Sequence, residues 1–263
     1  MLSDEESSAS ERESPSPGPP PPSPPPSSDT PSLPRPTPRG EPIALLVDDV
    51  SEIARRLLGS TITTERPDVN GETATVKLRI TELEAYAGPD DPASHAYRGP
   101  SARNAAMFGP PWHAYVYWHM GLHACMNIVV GEEGVPTGVL VRAGEVFEGV
   151  EVARARRLVK GTIRWESELA SGPARLTVAL GISIADTGAP LDGSTGILLT
   201  PGQPLPAEMI SAGPRVGVGS AREVHARFWI TGDPTVSLYK AAPKPKRRGT
   251  RVNRTDPGAE TQT

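Results

Sequence analysis

Lysine is nearly absent from the centre of this chain. Of 263 residues, the stretch 42–239 carries only Lys77 and Lys160. Chemistry that runs through a lysine Schiff base needs one of them in its pocket. Alternation places Lys77 on the strand face opposite Glu84, and Lys160 closes a helical segment, so an amine nucleophile is not expected. Cysteine is scarcer still, with Cys125 alone. That excludes a disulfide framework and any zinc site built on several cysteines, including the two-cysteine motif of zinc deaminases. No apolar run approaches the roughly 20 residues of a membrane span. The polar, acidic N-terminus lacks the basic-then-apolar order of a secretory signal. These absences lead us to expect a soluble, cytoplasmic protein without a membrane partner. No GxxxxGKS or GxxxxGKT is present, so a phosphate-binding P-loop is excluded, and the glycines of RVGVG (215–219) have the wrong spacing for a dinucleotide fingerprint.

What is present is unevenly spread. Residues 1–40 hold 13 of the 31 prolines, in runs such as PSPGPPPPSPPPSS. With almost no large apolar residues, that stretch cannot offset the entropy of ordering, and residues 1–41 read as a disordered, partly polyproline-II tail. The formal charge of −4 also hides an asymmetry: residues 240–263 carry 7 basic and 2 acidic side chains. They read as a disordered basic tail of the kind that adds salt-sensitive affinity for nucleic acid.

Between the tails, residues 42–239 read as one domain. DVSEIARRLLG (49–59) has a capping residue, an apolar face and a terminal glycine, and is expected to be helical. ATVKLRITELEAY alternates as a half-buried strand. HAYVYWHMGLHACMNIVVG, rich in aromatic and β-branched residues with Gly121 in its middle, reads as a hairpin turning near Met120–Gly121. TGVLVRAGEVF is a further strand, and GVEVARARRLV and GPARLTVALGI are helices, the latter with Pro173 near its start. ARFWITGDPTVSL closes the domain with a strand and a turn. Loose alternation without regular βαβ spacing predicts an α+β fold with a curved, mainly antiparallel sheet, a protruding β-hairpin and flanking helices.

Two candidate chemistries emerge. His119, His123 and Cys125 stand at i, i+4 and i+6, which resembles ligand spacing, but no second ligand cluster accompanies them. A polar strand face above a buried thiol explains them as well, and no metal is expected. The carboxylates carry more. Alternation puts Glu82 and Glu84 on the side of Ile80, where a carboxylate is costly unless partnered. A buried ion pair with arginine is one reading; a general base facing a pocket is the other. Tyr86 continues the same face and offers a flat ring beside the carboxylate.

RITELEAYAGPDDPASHAYRG, SARNAAMF, AYVYWHMGLHACMNIV, GVLVRAGEVFEG, SGPARLTVALGI, RVGVG and FWITGDPTVS, in that order, resemble the alkyladenine (3-methyladenine, methylpurine) DNA glycosylases. The resemblance covers about residues 43–239. It implies excision of alkylated or deaminated purines from double-stranded DNA by a monomer that needs no cofactor. Glu84 matches the residue that activates water, Arg142 the arginine that helps to hold it, and Val236 supplies a matching backbone carbonyl. Tyr86, His95 and Tyr117 match the residues around the flipped base, and Asn127 the one that crowds a guanine amino group. Where the family often has a tyrosine wedge, this chain has Met120, an apolar type that also serves as a wedge. Arg98, Arg103, Arg164 and Arg215 are candidate phosphate partners. A non-catalytic damage-binding protein of the same fold is the alternative.

Overall fold

The computed structural model describes residues 49–242. The proline-rich segment 1–41 and nearly all of the basic segment 240–263 lie outside the described residues. Helix α1 (Val50–Leu57) starts where the Asp49 carboxylate accepts from the Ser51 N–H at 2.8 Å, and it buries Ile53, Ala54 and Leu57. Two further helices, α2 (Val150–Leu158) and α3 (Pro173–Leu180), pack on each other, and α3 also covers the sheet. Pro173 opens α3, and Gly181 leaves it at φ 69°. The Ile182 N–H then returns to the Thr177 carbonyl at 2.8 Å, a Schellman closure.

The strands are β1 (Thr61–Pro67), β2 (Thr73–Tyr86), β3 (Ala114–His119), β4 (His123–Val129), β5 (Gly138–Glu148), β6 (Ile197–Thr200), β7 (Ile210–Gly213) and β8 (Arg227–Ile230). All pairings are antiparallel, in the order β3-β4-β5-β2-β1-β6. Strand β2 organises the sheet. One edge pairs with β5 from Lys77 to Tyr86; the other pairs first with β1 and then, from Glu82 to Glu84, with β8. This change of neighbour curls the sheet, so Thr81 to Ala85 are buried on both faces. The expected α+β fold, its antiparallel sheet and the three expected helices are all present. Strand β1, whose TITTERP has too little apolar alternation to stand out, was not anticipated.

Hairpin β3–β4 pairs from Ala114↔Ile128 to His119↔His123, whereas β4 reaches β5 only through Asn127, Ile128 and Val129. Its outer half therefore runs past the neighbouring strand, as the expected protruding hairpin. The helix α2 positions Arg156 and Arg157 are buried because they cap main-chain carbonyls. Arg156 donates to Ala179, Arg66 and Pro67, and Arg157 to Leu169. No helix among the described residues is long and apolar enough to cross a membrane.

Candidate active site

Glu82 and Glu84 are both fully buried, and their partners differ. Oε1 of Glu82 accepts from Arg142 Nε at 2.9 Å, Arg227 Nε at 2.6 Å and Ser237 Oγ at 2.9 Å; Oε2 accepts from the Ser237 N–H at 2.6 Å. Glu82 is thus the buried ion pair. Glu84 has a lighter set. Its Oε1 accepts from the Val216 N–H at 2.6 Å and lies 3.4 Å from Arg142 Nη1, and its Oε2 accepts from the neutral Tyr86 hydroxyl at 2.8 Å. The ion-pair reading is therefore met at Glu82, while Glu84 is less fully compensated.

A paired irregularity in the sheet delivers Arg142 to them. Ile80 faces Gly144, Glu82 faces Ala143 and Leu83 faces Val141. Thr81 is the extra residue on β2, and Arg142 is the extra one on β5. Bulged residues re-aim their side chains, and here the guanidinium is aimed between the two carboxylates. Burial opposes its charge, but Glu84 and Glu82 beside it raise the pKa above its ordinary value, so Arg142 is firmly cationic. Its Nη2 also donates to Ser237 Oγ at 3.2 Å. That bond ties the Val236–Ser237 segment to the same cluster.

The aromatic residues gather beside this network. One transverse row of the sheet runs Tyr115, Asn127, Leu140, Glu84, Arg227. Tyr115 and Tyr117, two residues apart on β3, stack with centroids 5.7 Å apart, and the His95 ring meets Tyr117 edge-on at 4.4 Å. His95 Nδ1 shares a hydrogen bond with the Tyr115 hydroxyl at 3.0 Å. Asn127 is buried and donates to the Tyr115 carbonyl at 3.1 Å, which fixes the orientation of its amide. Tyr86 has a different ring partner, the Arg215 guanidinium 4.6 Å from its centroid. Burial together with the Glu84 charge pushes the Tyr86 phenol well up, so it remains a neutral donor. Burial likewise raises Tyr117, and it pushes the Cys125 thiol up to about 11.

At the hairpin tip Met120 is 81% exposed and left-handed at φ 51°, followed by Gly121 at φ 71°. The Leu122 N–H closes the turn on the His119 carbonyl at 3.0 Å. Left-handed backbone strains a residue with a Cβ, so this chain holds a large apolar side chain outward at a strained position. Arg103 lies alongside, exposed, its guanidinium bonded to the Trp118 carbonyl at 3.1 Å. Arg98 and Arg164 are exposed, Arg164 in the loop after α2. Arg215 requires a correction. It is 2% exposed, is paired with Asp91 and donates to the Ala85 carbonyl at 3.0 Å, so it is an internal brace behind Tyr86 and not a surface cation. No three His, Cys, Asp or Glu side chains converge as a metal site among the described residues. His119 and His123 face each other at the exposed end of the hairpin, while Cys125 is buried opposite Tyr117.

Sequence reasoning did not anticipate Tyr115, Val216, Arg227 and Ser237. Tyr115 was detectable, because alternation in AYVY puts it on the Tyr117 face. The other three act through long-range contacts, two of them through main-chain atoms, and carry no local signature.

The model of the methylpurine-DNA glycosylase (MPG) family matches residues 44–234. A Streptomyces avermitilis protein is 48% identical over 206 residues, covering 76% of this chain and 92% of its own. One from Nocardia farcinica is 43% identical over 205 residues (76% and 91%), and one from Corynebacterium efficiens 45% over 172 (65% and 87%). All three bear the name "Putative 3-methyladenine DNA glycosylase". The matched span takes in every strand and helix that carries the glutamates, the bulged arginine, the aromatic rings and the hairpin, and the chain belongs to the methylpurine-DNA glycosylase family.

Proposed function

We propose that this protein is a monofunctional DNA glycosylase of base-excision repair. As a monomer it turns an alkylated or deaminated purine out of duplex DNA and hydrolyses its N-glycosidic bond, leaving an abasic site. The observation that carries the reading is the unequal compensation of two adjacent buried carboxylates. Glu82 is saturated by two arginines and a serine. Glu84 shares one arginine at a longer distance, and its Oε2 holds only a phenol, so acceptor capacity remains there.

Glycoside cleavage passes through a sugar with developing positive charge. Glu84 takes a proton from water as the water oxygen bonds to C1′, and its negative charge stabilises the sugar. The C1′–N bond breaks with its electron pair going to the purine. A cationic methylated base leaves as a neutral purine and needs no added proton; a deaminated base needs one from solvent or a neighbour. Arg142 and the Val236 carbonyl position the water. Tyr86, His95 and Tyr117 flank the extruded base, and a cationic purine gains from their π faces. Asn127, its amide held on Tyr115, crowds the amino group of normal guanine. The base is unreachable inside the helix; Met120 fills the gap it leaves, while the exposed Arg98, Arg103 and Arg164 contact phosphates. With water as the nucleophile, the abasic strand is left uncut.

A second reading is a damage-binding protein without turnover. It is favoured by one fact: Glu84 is closed from solvent and capped by Tyr86. A base-release panel separates the two. Duplexes carrying 3-methyladenine, 7-methylguanine, hypoxanthine or ethenoadenine are incubated with wild type and Glu84→Gln. We expect release by wild type from at least one duplex, and binding without release by the variant. Binding with no release by either protein would establish the second reading.

A further inference from the structure

We infer that Glu82 is a positioning residue, the common anchor that orients both Arg142 and the Val236 carbonyl about Glu84. The inference rests on the reading of Glu84 as the base. Glu82 is one pleat repeat from Glu84, takes four hydrogen bonds and is fully buried. One of those bonds is to the Ser237 N–H, which belongs to the same peptide unit as the Val236 carbonyl. In a planar trans peptide, N–H and C=O point in opposite directions. By holding that N–H at 2.6 Å, Glu82 sets the peptide plane and turns the Val236 oxygen away from itself. The next peptide unit is held too, because Arg227 Nη2 donates to the Ser237 carbonyl at 2.8 Å.

The same carboxylate restrains Arg142. Its Nε–H lies on Glu82 at 2.9 Å, whereas Nη1 approaches Glu84 at 3.4 Å. Without Glu82, the carboxylate left beside Arg142 among the described residues is Glu84, and the guanidinium would close onto the oxygens that must receive the water proton. Stability alone does not account for the arrangement. Burying a carboxylate with arginines contributes no more, as a rule, than an apolar cluster of the same volume. What the ion cluster adds is direction: one acceptor, two residues from Glu84 on the same strand, holds groups from two different elements, β5 and the turn after β8.

The test uses Glu82→Gln and the charge-compensated Glu82→Gln/Arg227→Met, on a duplex that wild type cleaves. The double variant restores neutrality and is expected to melt close to wild type. It should bind the damaged duplex within about threefold, yet release the base about 100-fold more slowly under single-turnover conditions, the loss typical of a misplaced reacting group. Glu82→Asp, which keeps the charge on a shorter stem, should also be slow. Wild-type release by the double variant would overturn the inference, as would a slowing matched by an equal loss of damage binding. If wild type is active and Glu84→Gln inactive while Glu82 variants keep full rate, only this inference falls. If Glu84→Gln retains the wild-type rate, the reading beneath it falls as well.

Discussion

The Tyr86 hydroxyl donates to Glu84 Oε2 at 2.8 Å, from two residues along the same strand. On β2, residues i and i+2 share a face, so the ring expected against the base and the carboxylate expected beside the sugar are coupled by backbone geometry as well as by this bond. Tyr86→Phe keeps the ring and removes the donor. A hydrogen bond to a charged group contributes about 1.5 kcal/mol at the low end, or roughly tenfold in rate. Single-turnover release should fall about tenfold with damage binding unchanged. Tyr86→Ala, which removes the ring, should lose binding instead.

Met120 should show opposite effects on stability and on activity. At φ 51° its backbone carries strain of about 1–2 kcal/mol, which glycine would relieve, less about 0.4–1 kcal/mol for the freer unfolded chain. Met120→Gly is therefore expected to leave stability unchanged or raise it, by about 0 to 1.6 kcal/mol, in denaturant titration. It should nonetheless slow base release from duplex DNA more than from single strands, where no gap needs filling. Equal slowing on both substrates would remove Met120 from the wedge role.

His95 gives a pH dependence with a definite sign. Loss of hydration against the tyrosines, then the charges of Arg103 and His119, hold its pKa below the ordinary 6.5. A histidine depressed on folding contributes stability that is complete above pH 6.5 and is lost as pH falls through the folded value. Melting temperature should decline on acidification below 6.5, with a shallower decline in His95→Gln. NMR titration should place the His95 midpoint below 6.5, and Arg103→Ala should move it upward.

Arg215 and Arg103 make a contrasting pair. Arg215 is buried against Asp91, and removing one partner of a buried ion pair costs about 3–5 kcal/mol. Arg215→Ala should unfold at much lower temperature. Arg103 is exposed beside the hairpin, so Arg103→Ala should leave the melting temperature within a degree or two. It should weaken DNA binding and flatten its salt dependence by about one counterion. Arg103→Ala with unchanged affinity at low salt would exclude it as a phosphate partner.

Much of this site was legible in the one-dimensional chain because strand periodicity is short-range. The two-residue repeat of β2 places Glu82, Glu84 and Tyr86 on one face. The aromatic alternation of β3 and the Met120–Gly121 turn likewise follow from neighbours within a few positions. Arg215 was misplaced because an arginine in a glycine-rich stretch looks exposed. Its partner Asp91 lies 124 residues away, and no local pattern announces the pairing.

The sequence by itself determined the α+β class, the helices and hairpin, and two carboxylates on an otherwise apolar face, since these depend on local propensity and alternation. Only the tertiary structure decided which glutamate takes the two-arginine cluster and which is left with the lighter compensation. That choice is made by groups brought in from β5, β8 and two turns, by a bulge that re-aims Arg142, and by main-chain N–H groups of Val216 and Ser237 that no side-chain code specifies. Burial makes the choice sharp, because away from water a carboxylate's properties are set by the few donors the fold places within reach.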